Sequence, residues 1–111
     1  MRTFRLTYDH THLAKVSIDD VTKIMPQIEL MVKFWTGWQD LVEDCDDNFL
    51  RAWFHQLAEY VFEHGRAPTD NTEGYVKFAD FGIKVFDIQR WEPDGDFRAQ
   101  EYMHDGKLAS I

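Results

Sequence analysis

Between residues 40 and 47 the chain carries five carboxylates, Asp40, Glu43, Asp44, Asp46 and Asp47, and no basic residue. Carboxylates at that density have three uses. They can form a solvated joint between two helices, the last members favouring the positive start of the next helix. They can face a basic partner, including a protein surface that otherwise takes nucleic-acid phosphates. They can also ligate Ca²⁺, but here the spacing fails. Asp44, Asp46 and Asn48 match the first three ligand positions of an EF-hand, yet Phe49 stands where Gly must turn the loop and His55 where a bidentate Glu must close it. The solvated joint stays open beside the partner-binding reading, whose residues are Asp40, Glu43, Asp44, Asp46 and Asp47. Trp91 joins them as an exposed aromatic anchor beside the turn Glu92-Pro93-Asp94-Gly95.

The remaining chemistry-bearing residues are dispersed. His10 and His12 flank Thr11 in an expected turn, and sharing a metal requires further ligands such as His104 or Asp105. The competing reading is a pair of exposed turn histidines. His55 and His64 stand nine positions apart on one helix, so they cannot form an i, i+4 metal pair. Cys45 sits among carboxylates, which disfavour a thiolate and hence a reactive nucleophile. No HExxH, CxxC, GxSxG, phosphate-binding loop or GxGxxG occurs. Twenty acids always allow some pair to meet, so paired carboxylates for hydrolysis carry no signal. Neither a catalytic residue, a cofactor nor a metal is expected.

The elements that position these residues follow from periodicity. From Asp46 to Gly65, the residues Phe49, Leu50, Trp53, Phe54, Leu57, Tyr60 and Val61 repeat at helical spacing. Asp46, Asp47 and Asn48 supply start signals, Gly65 a left-handed stop, and Pro68 prevents continuation. Residues 3–8 and 13–18 alternate as a β-hairpin, with Phe4, Leu6, Tyr8, Ala14, Val16 and Ile18 turned to the core. From Asp19 to Trp35 a second helix is expected on Ile24, Ile28, Met31, Val32 and Trp35, broadened by Leu30 and Phe34. Pro26 fits its first turn, the stretch from Asp20 being separate. A short helical piece follows over 38–43, with Trp38, Leu41 and Val42 inward. Tyr75–Phe78, Gly82–Trp91 and Phe97–Tyr102 read as strands, and the last eight or so residues as frayed. Strands, helices, then strands make one α+β domain over 1–111: an antiparallel sheet with two main helices on one face.

With those elements in place, the chain resembles a family of small phage and prophage proteins that carry a domain-of-unknown-function label. Three places carry the resemblance: RTFRLTY with AKVSID in the hairpin, Phe34-Trp35-Thr36-Gly37 with the acidic stretch behind it, and Gly82-Ile83-Lys84-Val85-Phe86-Asp87. Relatives carry a Trp-Pro segment before the Gly-Ile strand, whereas this chain has Glu73 to Asp80. The resemblance implies a viral accessory protein acting inside a bacterial cell, and it supplies no active-site residue.

Composition bounds the rest. A net charge of −8, from 20 acids and 12 bases, argues against general nucleic-acid binding and permits attraction to a basic protein. No apolar run reaches the roughly 18 residues of a membrane span, and the N-terminus lacks the apolar core of a secretory signal. A lone cysteine fits a reducing compartment, so a cytosolic location is expected, and the resemblance implies the cytoplasm of a bacterial host. The expected function is non-enzymatic binding of a host or viral protein, such as a defence or transcription component whose basic surface is blocked. The alternatives are a small metal-binding protein or enzyme using dispersed His and Asp, and a structural homo-oligomer. Seventeen aromatic side chains in so short a chain also leave room for a homodimer patch.

Overall fold

Alternating side chains place Arg2–Tyr8 (β1) antiparallel to Thr11–Ile18 (β2) in the computed structural model, which describes residues 1–9, 11–66, 78–89 and 96–111. Three helices follow: Val21–Lys33 (α1), Trp38–Asp44 (α2) and Phe49–His64 (α3). A short 3₁₀ turn over Phe78–Phe81 leads into Ile83–Phe86 (β3), and Phe97–Tyr102 (β4) and Leu108–Ser110 (β5) complete the chain. The sheet order is β3-β2-β1-β4-β5, and every neighbouring pair is antiparallel. This is the expected α+β fold.

The central helix α3 forms as its sequence dictates. Asn48 accepts a hydrogen bond from the Arg51 backbone N–H at the start, and Gly65 ends the helix at φ +70. Its apolar stripe buries Trp53, Phe54, Leu57 and Val61 completely. The Phe54 ring lies 4.8 Å from Phe4 of β1 and 5.2 Å from Trp53. Together these rings make the centre of the core, because each removes the largest apolar area from water. Helix α1 packs beside α3 and buries Ile24, Ile28, Met31 and Val32.

Several boundaries differ from the sequence reading. Helix α1 starts at Val21 on an Asp20 cap and runs unbroken through Pro26. The ring is exposed and removes one backbone hydrogen bond, while the apolar stripe on both sides holds the helix together. Leu30 and Phe34 do not broaden the buried face; they are 63% and 62% exposed. Leu30 lies two positions, about 200°, from Ile28, which turns it away from the core. Trp35, Trp38 and Leu41 are half-buried, and Val42 is buried. Strand β3 ends at Phe86, because Asp87 adopts φ +52 and leaves the extended region. Phe78 begins a 3₁₀ turn rather than ending a strand, and the other residues of the expected 75–78 strand lie outside the described residues. The C-terminus is not frayed: β5 pairs with β4 through Gln100–Ser110, Glu101–Ala109 and Tyr102–Leu108. Ahead of β3, Gly82 at φ +68 leaves no room for a side chain, since a Cβ there would lie 2.8 Å from the Asp19 carboxylate.

The sheet has two unlike faces. Phe4, Leu6, Ala14, Val16, Ile18, Ile83 and Ala99 point to the helices and are buried. Alternation places Arg5 opposite to them, with Lys15 and Gln100 as its register partners, Phe86 beside Lys15 and Ser110 beside Gln100. A second outward row holds Lys84, Ser17 and Thr3, with Tyr102 on the β4 side.

Candidate functional site

The acidic cluster forms one corner of the molecule. Asp40, Glu43 and Asp44 lie on α2, Asp46 and Asp47 in the turn to α3, and all five are exposed. Asp46 and Asp47 have φ of +56 and +61, two successive left-handed residues that reverse the chain over a short distance. Asp tolerates this conformation better than most side chains, which accounts for the residue type at those two positions. The neutral Asn48 provides the side-chain cap of α3. Glu43 and Asp44 occupy the last turn of α2, where the helix dipole is negative and no basic residue compensates it. Among the described residues the ion pair at this corner is Arg51 to Asp46, at 3.9 Å.

A cleft of about 560 Å³ opens beside this corner, between α2, α3 and the β4–β5 edge. Asp44, Cys45, Arg51, His55, Phe97 and Ile111 line it. The Cys45 thiol is pushed above its ordinary value, first by burial and further by Asp44 and Asp46, against an opposing pull from Arg51. Burial rather than the neighbouring carboxylates is the leading cause. The thiol therefore stays protonated and inert at neutral pH.

The histidines are placed apart. His12 belongs to β2 and not to a turn, and its side chain is only 13% exposed. Arg5 Nε donates to His12 Nδ1 at 3.3 Å, so Nε2 carries the hydrogen and donates to the Asp87 carbonyl at 2.8 Å. His104 and Asp105 lie in the β4–β5 turn. The antiparallel register puts that turn at the end of the sheet opposite the β1–β2 turn, so neither can join His12. His55 meets Glu59 at 3.5 Å and the Phe97 ring at 4.9 Å, and His64 stacks on Tyr60 at 4.2 Å. Among the described residues no group of three His, Cys, Asp or Glu side chains is placed to hold a metal. His10 and Trp91 lie outside the described residues, and so does the turn at 92–95.

Two surface features escape a reading by residue type. One is the exposed pair Leu30 and Phe34, which only the exact helical phase distinguishes from core. The other is the cationic outer face of the sheet, signalled by the polar half of the 3–8 alternation but visible only once the strand order is known. Comparison with protein-family models, with curated proteins and with solved structures finds no match in any of the three.

Proposed function

We propose that the protein acts by binding, with its acidic corner docking on a basic surface of a protein partner. One observation carries this reading: Glu43 and Asp44 sit at the negative end of α2, and among the described residues neither forms an ion pair. Charges placed against a helix dipole cost stability, and such a cost is a common mark of a surface kept for function. The exposed Leu30 and Phe34, at the end of the helix that precedes α2, offer apolar contact in addition to the carboxylates. An acidic surface with an apolar flank suits a basic protein site, including one that otherwise takes nucleic acid. A phage-type accessory role, the expectation drawn from the resemblance, supports a defence or transcription component of a bacterial host as the target.

The test is capture from bacterial lysate on tagged protein at low and high salt, with mass spectrometry. A single basic partner lost at high salt is the expected result. The triple variant Asp40→Asn, Glu43→Gln, Asp44→Asn should then weaken that complex about tenfold or more and flatten its salt dependence. Unchanged affinity removes the acidic corner from the interface. A clean blank at both salts counts against binding of a host protein.

A further inference from the structure

The acidic total conceals a second surface of the opposite sign. Residues 20–64, the helical side, hold nine acidic side chains against three basic ones, Lys23, Lys33 and Arg51. No Asp or Glu occupies an outward position on any of the five described strands, whereas Arg5, Lys15, Lys84 and Arg98 do. Lys84 and Arg98 are exposed, and Arg5 and Lys15 are half-buried. Asp87, at the end of β3, reaches Lys15 at 3.7 Å. Among the described residues no carboxylate pairs with Arg5, Lys84 or Arg98.

Two aromatic rings stand among these cations. Lys84 Nζ lies 5.6 Å from the centre of the Phe86 ring, and Lys15 Nζ lies 5.5 Å from that of Tyr102. Phe86 and Tyr102 belong to β3 and β4, three strand spacings or about 14 Å apart, with the Arg5 and Lys15 pair between them. The described helices pack on the other face, and on this one Thr7 and Ser17 are buried while Lys84 and Arg98 are exposed. A sheet face with rings at its two sides and a band of cations between them has the parts of a single-strand platform. Bases stack on the rings, and phosphates meet the cations.

We propose that the outer sheet face binds single-stranded nucleic acid, with Phe86 and Tyr102 stacking on bases and Arg5, Lys15, Lys84 and Arg98 contacting the phosphates. An acidic peptide would satisfy the charge but leave the two rings without a task. A duplex presents no unstacked bases to them. The net charge of −8 is unevenly spread: residues 20–64 hold nine acids against three bases, and the rest of the chain eleven acids against nine bases, so the helical side accounts for most of it.

The experiment is fluorescence anisotropy on the full chain with labelled oligothymidylate and oligouridylate of about 15 nucleotides, a length within one site size. A duplex of equal length and polyglutamate serve as competitors. At about 50 mM salt the single strands should bind, with log K falling against log salt at a slope of about −2 to −3 for three to four phosphate contacts. The variant Arg5→Gln, Lys84→Gln, Arg98→Gln should lose at least about tenfold in affinity and most of that slope. Phe86→Leu with Tyr102→Leu should lose about fivefold or more and keep the slope, because stacking releases no counterions. Arg5→Lys with Arg98→Lys should retain binding, and melting curves should show every variant folded. Substituting Asp40, Glu43 and Asp44 should leave oligonucleotide binding intact, so a failure here is distinct from a failure of the acidic-corner reading. Absence of binding at about 50 mM salt overturns the proposal. So does equal affinity for the duplex, or binding that polyglutamate displaces equally well and that ignores Phe86 and Tyr102.

Discussion

At the scale of single residues, charge is used in two ways. Arg2 and Glu101 close one end of the sheet with two hydrogen bonds of 2.8 and 2.7 Å. The Arg2 hydrogen bonds hold the Glu101 carboxyl below the ordinary 4.5. A carboxylate depressed in the fold stabilises it above its unfolded value, and that contribution disappears as pH falls through the folded value. Glu101→Gln should therefore lower stability by about 0.5–1 kcal/mol at pH 7, a modest figure because Arg2 is half exposed to solvent. Chemical denaturation should show the gap between the two proteins closing as pH falls below the ordinary carboxylate range. A gap that persists in acid assigns the loss to packing. Among the described residues the carboxylates at 40–47 have no such bidentate geometry: their one ion pair is the long Arg51–Asp46 contact of 3.9 Å, as a run of acids without interspersed bases leads one to expect. What the sequence could not show is that Asn48 alone caps α3, or that His12 lies in a strand bonded to Asp87, since both depend on where the chain turns.

At the scale of elements, legibility tracks how many local signals agree. Helix α3 was readable from end to end because its cap, apolar stripe and Gly65 stop coincide. Helix α1 was misjudged where its signals conflict. Pro26 argued for a break, and the stripe through Ile24 and Ile28 argued for continuity; the stripe prevailed because it buries against α3. Strand β5 left almost no trace in sequence, since three residues, Leu108–Ser110, form a strand only when β4 offers an unpaired edge. Pro26 marks a place where the conflict can be measured. Its exposed ring makes no core contact, so Pro26→Ala restores the hydrogen bond to the Thr22 carbonyl without loss of packing. The variant should gain about 1–2 kcal/mol in urea unfolding, part of the roughly 3 kcal/mol that an interior Pro costs. A loss would mean that the helix geometry around Pro26 is needed for the fit of α1 on α3.

At the scale of the whole molecule, a single net charge describes neither side. The composition carried the acidity, but the separation into an acidic helical side and a cationic sheet face follows from strand order and alternation, which link Arg5, Lys84 and Arg98 across long stretches of chain. Such polarity has a cost that can be read without knowing any partner. Glu43 and Asp44 repel Asp40, Asp46 and Asp47 and oppose the dipole at the end of α2. Replacing them as Glu43→Gln with Asp44→Asn should therefore stabilise the isolated protein by about 0.5–1 kcal/mol at low salt, the scale of dipole and like-charge terms at an exposed helix end. The gain should shrink towards zero near 1 M salt, where the Debye length is about 3 Å. Thermal melts at the two salts measure both quantities. A gain that salt abolishes identifies carboxylates held against the interest of the fold, as the acidic-corner reading requires. A loss at low salt would show that they serve the α2–α3 joint itself, leaving that reading without its support.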